Sequence, residues 1–199
     1  RFLSKETEIT LEMNPSNVSE EKIKGLLMAG INRISLGIQS YNNQELQALG
    51  RNHDRASAIQ ATQMLQGINS NIDLIYGIEK QTPKSFTANL KRIIQSNVNH
   101  LSLYQLTVEP NTIFYKRELK LPNEDEIEKI ELIAKDLLEK NGYKQYEVSS
   151  WSKPGCESKH NMNYWQFGDF LGVGPGAHSK ISNEEEIISC LLYTSDAAD

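Results

Sequence analysis

Four strand-like runs, each followed by a helical pattern, limit what this chain can fold into more than anything else in it. Glu8-Ile9-Thr10-Leu11-Glu12-Met13 alternates polar and apolar residues before a turn at Asn14-Pro15. Arg33-Ile34-Ser35-Leu36-Gly37-Ile38-Gln39 is the second run, Asn71-Ile72-Asp73-Leu74-Ile75-Tyr76-Gly77-Ile78 the third, and His100-Leu101-Ser102-Leu103-Tyr104-Gln105-Leu106-Thr107-Val108 the fourth. The helices between them have recognisable starts. Ser19 caps Glu20-Glu21, with Ile23, Leu26 and Leu27 as the buried stripe and Gly30 as the stop. A short helical turn surrounds Leu46, and Asp54 caps a segment with Ala58, Ala61 and Leu65 at helical spacing. Thr82-Pro83 opens a helix whose apolar face is Phe86, Leu90, Ile93 and Ile94. Such alternation gives a parallel sheet with helices outside, open or closed into a barrel, and hence an α/β fold.

The third run is apolar, β-branched and ends at a glycine, which reads as a strand covered on both faces. It carries one carboxylate, Asp73, whose burial is costly without a partner or a ligand. Glu12, Gln39 and Gln105 stand at or near the ends of the other runs, and Arg51 follows the second. In parallel sheets and barrels, ligands bind at the carboxyl ends of strands. These groups are therefore expected to converge on one small polar ligand. Carboxylates suit hydroxyls or an amine, amides suit either, and a guanidinium suits a carboxylate. Taken singly, Glu12 could equally be a surface ion-pair residue, Arg51 a solvated charge, and Asp73 half of a buried structural pair.

The rhythm changes after Pro110, so residues 1–110 read as a partial barrel and 111–189 as an extension. Asn123-Glu124-Asp125-Glu126 opens a long amphipathic helix with Ile127, Ile130, Ala134, Leu137 and Leu138 on one side and Gly142 at its end. Tyr146-Glu147-Val148-Ser149 reads as a strand, and the remainder as irregular chain rich in aromatics and glycine. His160, Tyr164 and Trp165 form an aromatic group with one metal-capable imidazole; it either covers the edge of a core or meets a ligand. Cys156 and His160 are too few ligands for a structural zinc site. Gly172 to Gly176 lacks the lysine of a phosphate loop and reads as a tight turn that lets backbone approach a ligand. Residues 190–199 continue no upstream pattern and read as a translated sequencing-adapter tail. Without it Cys156 is the one cysteine, which supports neither a disulfide framework nor a cysteine-ligated metal site. A net charge of -5 argues against a broad basic nucleic-acid face, and no stretch approaches the roughly 20 apolar residues of a membrane span.

Several of these words resemble the radical S-adenosylmethionine proteins related to oxygen-independent coproporphyrinogen III oxidase. They are Ile9-Thr10-Leu11-Glu12-Met13-Asn14-Pro15, Asn32-Arg33-Ile34-Ser35-Leu36-Gly37-Ile38-Gln39-Ser40, Gly50-Arg51-Asn52-His53, Asp73-Leu74-Ile75-Tyr76-Gly77, Gln81-Thr82-Pro83 and the fourth run through Glu109-Pro110. Order and spacing match over residues 7–179. Within that family, His160-Asn161-Met162-Asn163-Tyr164-Trp165 matches the HNxxYW word of the HemW branch, the haem chaperones. Gly174-Pro175-Gly176-Ala177-His178-Ser179 fits the same branch.

The resemblance implies a partial (β/α)6 barrel with a [4Fe-4S] cluster, and S-adenosylmethionine chelating its unique iron. It implies that Glu12, Gln39, Arg51 and Asp73 hold the S-adenosylmethionine, with Thr107 near it. His160, Asn161, Tyr164 and Trp165 would meet haem, His160 first among them. The family's cluster motif, CxxxCxxC, precedes the first strand of this chain, as does a glycine-rich strand, and a C-terminal domain follows. The chain made alone is thus expected to be inactive and poorly soluble. Glu79-Lys80 stands where the family more often has Pro-Gly before Gln81. The resemblance further implies a cytoplasmic protein that binds haem and delivers it to apo-proteins, with a homodimer as an open arrangement and no nucleic acid or membrane span. The alternative activity is radical oxidative decarboxylation of coproporphyrinogen III propionates to vinyl groups.

Overall fold

The computed structural model describes residues 4, 6–117, 119–174, 176–183 and 186–191. The chain forms two compact units, Arg1–Cys156 and Glu157–Asp199. The first is built on strands β1 (Thr10–Met13), β2 (Arg33–Gln39), β3 (Ser70–Tyr76) and β4 (His100–Gln105). They lie side by side in chain order and run parallel. The connecting helices are α1 (Glu20–Met28), α2 (Asn43–Ala48), α3 (Arg55–Met64) and α4 (Pro83–Ser96). Their starts are those expected. Ser19, Asp54 and Thr82 each accept a backbone N–H, and Thr82 and Ser85 complete a reciprocal capping box. The single helical turn α5 (Ile113–Lys116) leads to α6 (Glu124–Lys140), capped by Asn123 and Glu126 in the same reciprocal way.

The sheet continues beyond β4 as β6 (Ser150–Ser152) and then β5 (Lys144–Gln145), both antiparallel pairings, so it is mixed at this edge. Tyr146-Glu147-Val148-Ser149, expected to be a strand, is instead the turn between these two. The Tyr146 N–H donates to the Ser150 carbonyl, the Gln145 amide donates to the Val148 carbonyl, and Val148 is exposed. Helix α6 and strands β5 and β6, which follow Pro110, lie in the same compact unit as the four βα repeats. Ile130, Ala134, Leu138 and Trp151 join the core of that unit.

The third run is not covered alike on both faces. Its apolar residues disguise an alternation from Asn71 to Leu74. Ile72 and Leu74, with Ile34, Leu36, Ile38, Leu101 and Leu103, face the core shared with Ile23, Ala58, Ala61, Leu65, Phe86, Leu90 and Ile93. The parallel register puts the other residues in rows on the opposite face: Glu12, Ser35, Asn71 and His100 in one, Gly37, Asp73, Ser102 and Ser150 in the next. That face is polar apart from Ile75, which pairs with Tyr104. Leu27, expected inside, is exposed together with Met28, so only Ile23 of α1 is fully buried.

In the second unit, α7 (Lys159–Trp165) gives helical order to the stretch read as irregular, with Ser158 as its cap. Strands β7 (His178–Ser182) and β8 (Ile187–Leu191) form a hairpin. The Lys180 ammonium reaches the Asp169 carboxylate at 3.7 Å, and the Ser182 N–H donates to it at 2.9 Å. Both contacts hold the Asp169 pKa below the usual range, the backbone bond most. Of the tail read as adapter-derived, Cys190 and Leu191 pair in β8 and residues 192–199 lie outside the described residues. No described helix is long and apolar enough to cross a membrane.

Candidate functional site

The polar face gathers Glu12, Ser35, Asn71, Asp73 and Ser102 across β1 to β4. Asp73 lies at the middle of β3, and its carboxylate is cradled by small donors from its own strand and its two neighbours. The Asn71 amide donates to Oδ1 at 2.7 Å and the Ser35 hydroxyl to Oδ2 at 3.4 Å. Ser102 adds a third polar contact from β4. Burial pushes the Asp73 pKa up, the Asn71 bond pulls it back, and the negative charge of Glu12 pushes it up again. The isolated acid of the sequence is therefore one of two facing carboxylates.

Arg51 is brought to the same place by a loop tied to β2. The buried His53 ring donates to the Ile38 carbonyl at 3.0 Å, which anchors the Gly50-Arg51-Asn52-His53 segment against that strand. Arg51 donates to the Asn14 side chain at 2.5 Å and weakly to the Gly37 carbonyl at 3.5 Å. Burial lowers its pKa, and Asp73 opposes that shift without forming an ion pair among the described residues. Asp73 thus feels the charge of both Glu12 and Arg51, with no ion pair joining them among the described residues. That leaves them able to bind a ligand with both hydroxyl or ammonium donors and a carboxylate.

Gln39 joins them through a backbone irregularity. A bulge between Gly37 and Gln39 interrupts the β2–β3 pairing, and Gln39 adopts φ 64°, a left-handed conformation rare for glutamine. A Cβ built on Gly37 would lie 2.9 Å from Gln39 Nε2 and 3.6 Å from Arg51 Nη2. The Gln39 amide is thus folded over Gly37 beside Arg51, and the missing Cβ makes room for it. Gly37→Ala is expected to displace that amide and weaken ligand binding about three- to tenfold, a loss of roughly one hydrogen bond, with little change in melting temperature. A titration calorimetry series on the two proteins would check it.

Not every expected residue is present. Gln105 projects to the opposite face: its Cγ lies 3.6 Å from the position a Cβ would take on Gly77. The residue β4 contributes on the Asp73 side is Tyr104, whose pKa is raised by burial and by the charge of Asp73. The one-residue difference is the strand period itself. Thr107 lies beyond β4, exposed, and its hydroxyl touches the Gln105 carbonyl at 3.5 Å.

The strand-following loops are held from behind by a residue that sequence reasoning missed. Glu45 in α2 is only 2% exposed and accepts from Ser40 at 2.6 Å, Ser85 at 2.7 Å, Asn89 at 2.8 Å and Gln81 at 3.1 Å. Gln81 in turn accepts the Gly77 N–H at 2.8 Å. The loop after Gln39 and the loop after Tyr76 are therefore fastened to one carboxylate. Nothing in Asn43-Gln44-Glu45-Leu46 distinguishes Glu45 from a surface acid, because its donors lie between 5 and 44 residues away.

In the second unit, His160 and Tyr164 are one helical turn apart on α7. Both rings pack on Phe170, at 5.1 and 6.1 Å, and Trp165 packs edge-on to Tyr164 at 6.0 Å. His160, Tyr164 and Trp165 remain exposed. Asn161 meets the capping Ser158, and Asn163 closes the turn after α7 by donating to the Asp169 carbonyl at 2.9 Å. Gly172, expected to approach a ligand, uses its missing side chain to approach the His178 carbonyl of its own hairpin; Pro175 lies outside the described residues.

No group of three metal-ligating side chains occurs among the described residues. The whole chain has two cysteines, fewer than the three thiolates of a CxxxCxxC motif, so these residues do not fit an iron–sulfur cluster. The polar cradle around Asp73 does fit a small ligand rich in hydrogen-bonding groups.

Comparison with known proteins agrees with this layout. Residues 1–93 match the Radical SAM superfamily. Heme chaperone HemW of Haemophilus influenzae is 47% identical over 178 residues, covering 88% of this chain and 46% of that protein. Heme chaperone HemW of Escherichia coli is 41% identical over 183 residues, covering 90% and 48%. The chain therefore spans about half the length of the curated relatives it matches. Among solved structures, coproporphyrinogen III oxidase (HemN) from Escherichia coli, described as a radical SAM enzyme, superposes with a TM-score of 0.74 and 26% identity over 88% of this chain and 45% of that one. The four parallel βα units are thus part of a TIM-like α/β barrel, and the chain belongs to the radical SAM superfamily, in its HemW-like branch.

Proposed function

We propose that the protein carrying this chain is a haem chaperone that binds S-adenosylmethionine on the polar face of β1 to β4. The observation that carries the ligand assignment is the pair of facing acids, Glu12 and Asp73, beside Arg51 and the folded-back amide of Gln39. The sulfonium and amine of S-adenosylmethionine are cationic and its carboxylate anionic, which suits two acids and one guanidinium held apart. Asp73 and Glu12 would accept hydrogen bonds from hydroxyls or the amine, Arg51 would take the carboxylate, and Gln39 and Thr107 would complete the rim. In the radical SAM family a [4Fe-4S] cluster bound to this ligand supplies one-electron chemistry. The residues of this chain would bind and orient the ligand.

Haem is proposed as cargo, and apo-proteins as its recipients, because relatives named haem chaperones share 34–47% identity against 26% for the coproporphyrinogen oxidase. The exposed His160, Tyr164 and Trp165 on α7 offer an imidazole beside aromatic faces, a combination suited to a flat, iron-bearing macrocycle. His160→Ala is expected to weaken haem binding at least about tenfold, as for loss of a metal ligand or its immediate support, and to spare S-adenosylmethionine. A haem titration followed by Soret absorbance, run beside ligand calorimetry, separates the two. Unchanged haem affinity would remove His160 from the site. Turnover of coproporphyrinogen III by the cluster-loaded protein would favour the oxidase instead.

A further inference from the structure

Behind Asp73 lies a line of side chains that the binding reading leaves unused. The His100 ring is 1% exposed, and burial, with the nearby Arg33 charge, lowers its pKa to about 3, so it is neutral. A neutral imidazole has one donor and one acceptor nitrogen. Asn71 commits its amide hydrogens to Ser35 at 2.9 Å and Asp73 at 2.7 Å. Its carbonyl oxygen therefore faces Ser102 at 3.1 Å and His100 Nδ1 at 2.6 Å. Nδ1 must carry the imidazole proton, and the bare Nε2 accepts the Tyr146 hydroxyl at 2.6 Å. The bonds run one way, from Tyr146 to His100 to Asn71 to Asp73. Reversing any link would turn the Asn71 carbonyl toward the Asp73 carboxylate, oxygen against oxygen.

We propose that Tyr146 and His100 are positioning residues: through Asn71 they hold the Asp73 carboxylate in the orientation that meets the ligand. This rests on the assignment of S-adenosylmethionine to Asp73. Neither residue touches the ligand; they set which end of the Asn71 amide points at the acid. Three separate pieces of chain, β3, β4 and the β5–β6 turn, must be assembled to do it. The turn therefore matters to a site at the far end of its line.

The test is a double-mutant cycle in the full-length protein, with S-adenosylmethionine affinity read by calorimetry. Tyr146→Phe keeps the ring that packs on His100 at 5.5 Å and removes one hydroxyl, so affinity should fall roughly three- to tenfold. His100→Phe should cost at least as much. In an Asp73→Asn background either change should cost less than about twofold, since the effect passes through Asp73. Full additivity would show a packing role only and overturn the proposal. Should His100→Phe not fold, Tyr146→Phe carries the cycle alone. A nitrogen-15 spectrum of the wild-type histidines should show His100 protonated on Nδ1; a proton on Nε2 overturns the assigned direction. If Asp73→Asn by itself leaves affinity unchanged, the ligand assignment fails, and the imidazole spectrum still decides the direction of the line.

Discussion

Asp73→Asn is expected to lower S-adenosylmethionine affinity by roughly ten- to a hundredfold, the worth of one charge-assisted hydrogen bond, while the protein melts at the same or a higher temperature. The two halves of this result have one cause. Burial raises the Asp73 pKa, with Glu12 adding to the effect. An acid whose folded pKa lies above its unfolded one contributes stability that is full below the unfolded value and lost as pH rises through the folded value. At neutral pH the ionised Asp73 is thus a charge the fold carries at a cost. Asparagine removes the charge and keeps an oxygen to accept from Asn71. Ligand affinity and melting temperature should therefore move in different directions, as is common where a site opposes the stability of its own fold. A variant with reduced affinity and a melting temperature lowered by several degrees would contradict this account, because it would make Asp73 structural.

Glu45 should behave in the opposite sense. Its carboxylate gathers Ser40, Gln81, Ser85 and Asn89 in a buried position. Glu45→Ala leaves those donors facing a cavity, at a cost of about 3 kcal/mol or more. For a protein of this size that corresponds to a fall of roughly 6–12 °C in melting temperature. Ligand affinity should fall with it, since Ser40 follows Gln39 directly and Gln81 holds the Gly77 turn at the end of β3. Differential scanning calorimetry of Glu45→Ala and Glu45→Gln would check the order: glutamine keeps one acceptor oxygen and should lose about half as much. A fall of less than about 2 °C for alanine would show that water replaces the carboxylate and that the loops are held by other contacts.

The two acids illustrate what could and could not be read from residue order. Asp73 stood out because its neighbours in the chain are apolar. Glu45 did not, because its neighbours include Asn43, Gln44 and Gln47, and its burial depends on α4 arriving from some 40 residues downstream. Tyr146 was misread for a related reason. Its segment has the residue types of a strand, but the chain reverses there and the strands lie on either side of it.

By itself the sequence determined the local order of the first unit. Capping at Ser19, Asp54, Thr82 and Asn123, glycine stops and apolar spacing act over a few residues, so they can be read wherever they occur. Through the words shared with the radical SAM family it also led to the expectation that Glu12, Gln39, Arg51 and Asp73 meet one ligand. Only the tertiary structure decided how they are placed. The strand period of two sends Tyr104 rather than Gln105 toward Asp73, the parallel register brings Ser35, Asn71 and Ser102 around it, and a left-handed Gln39 folds its amide over Gly37. These are contacts between residues tens of positions apart. They follow from which strand lies beside which, and no local pattern carries that information.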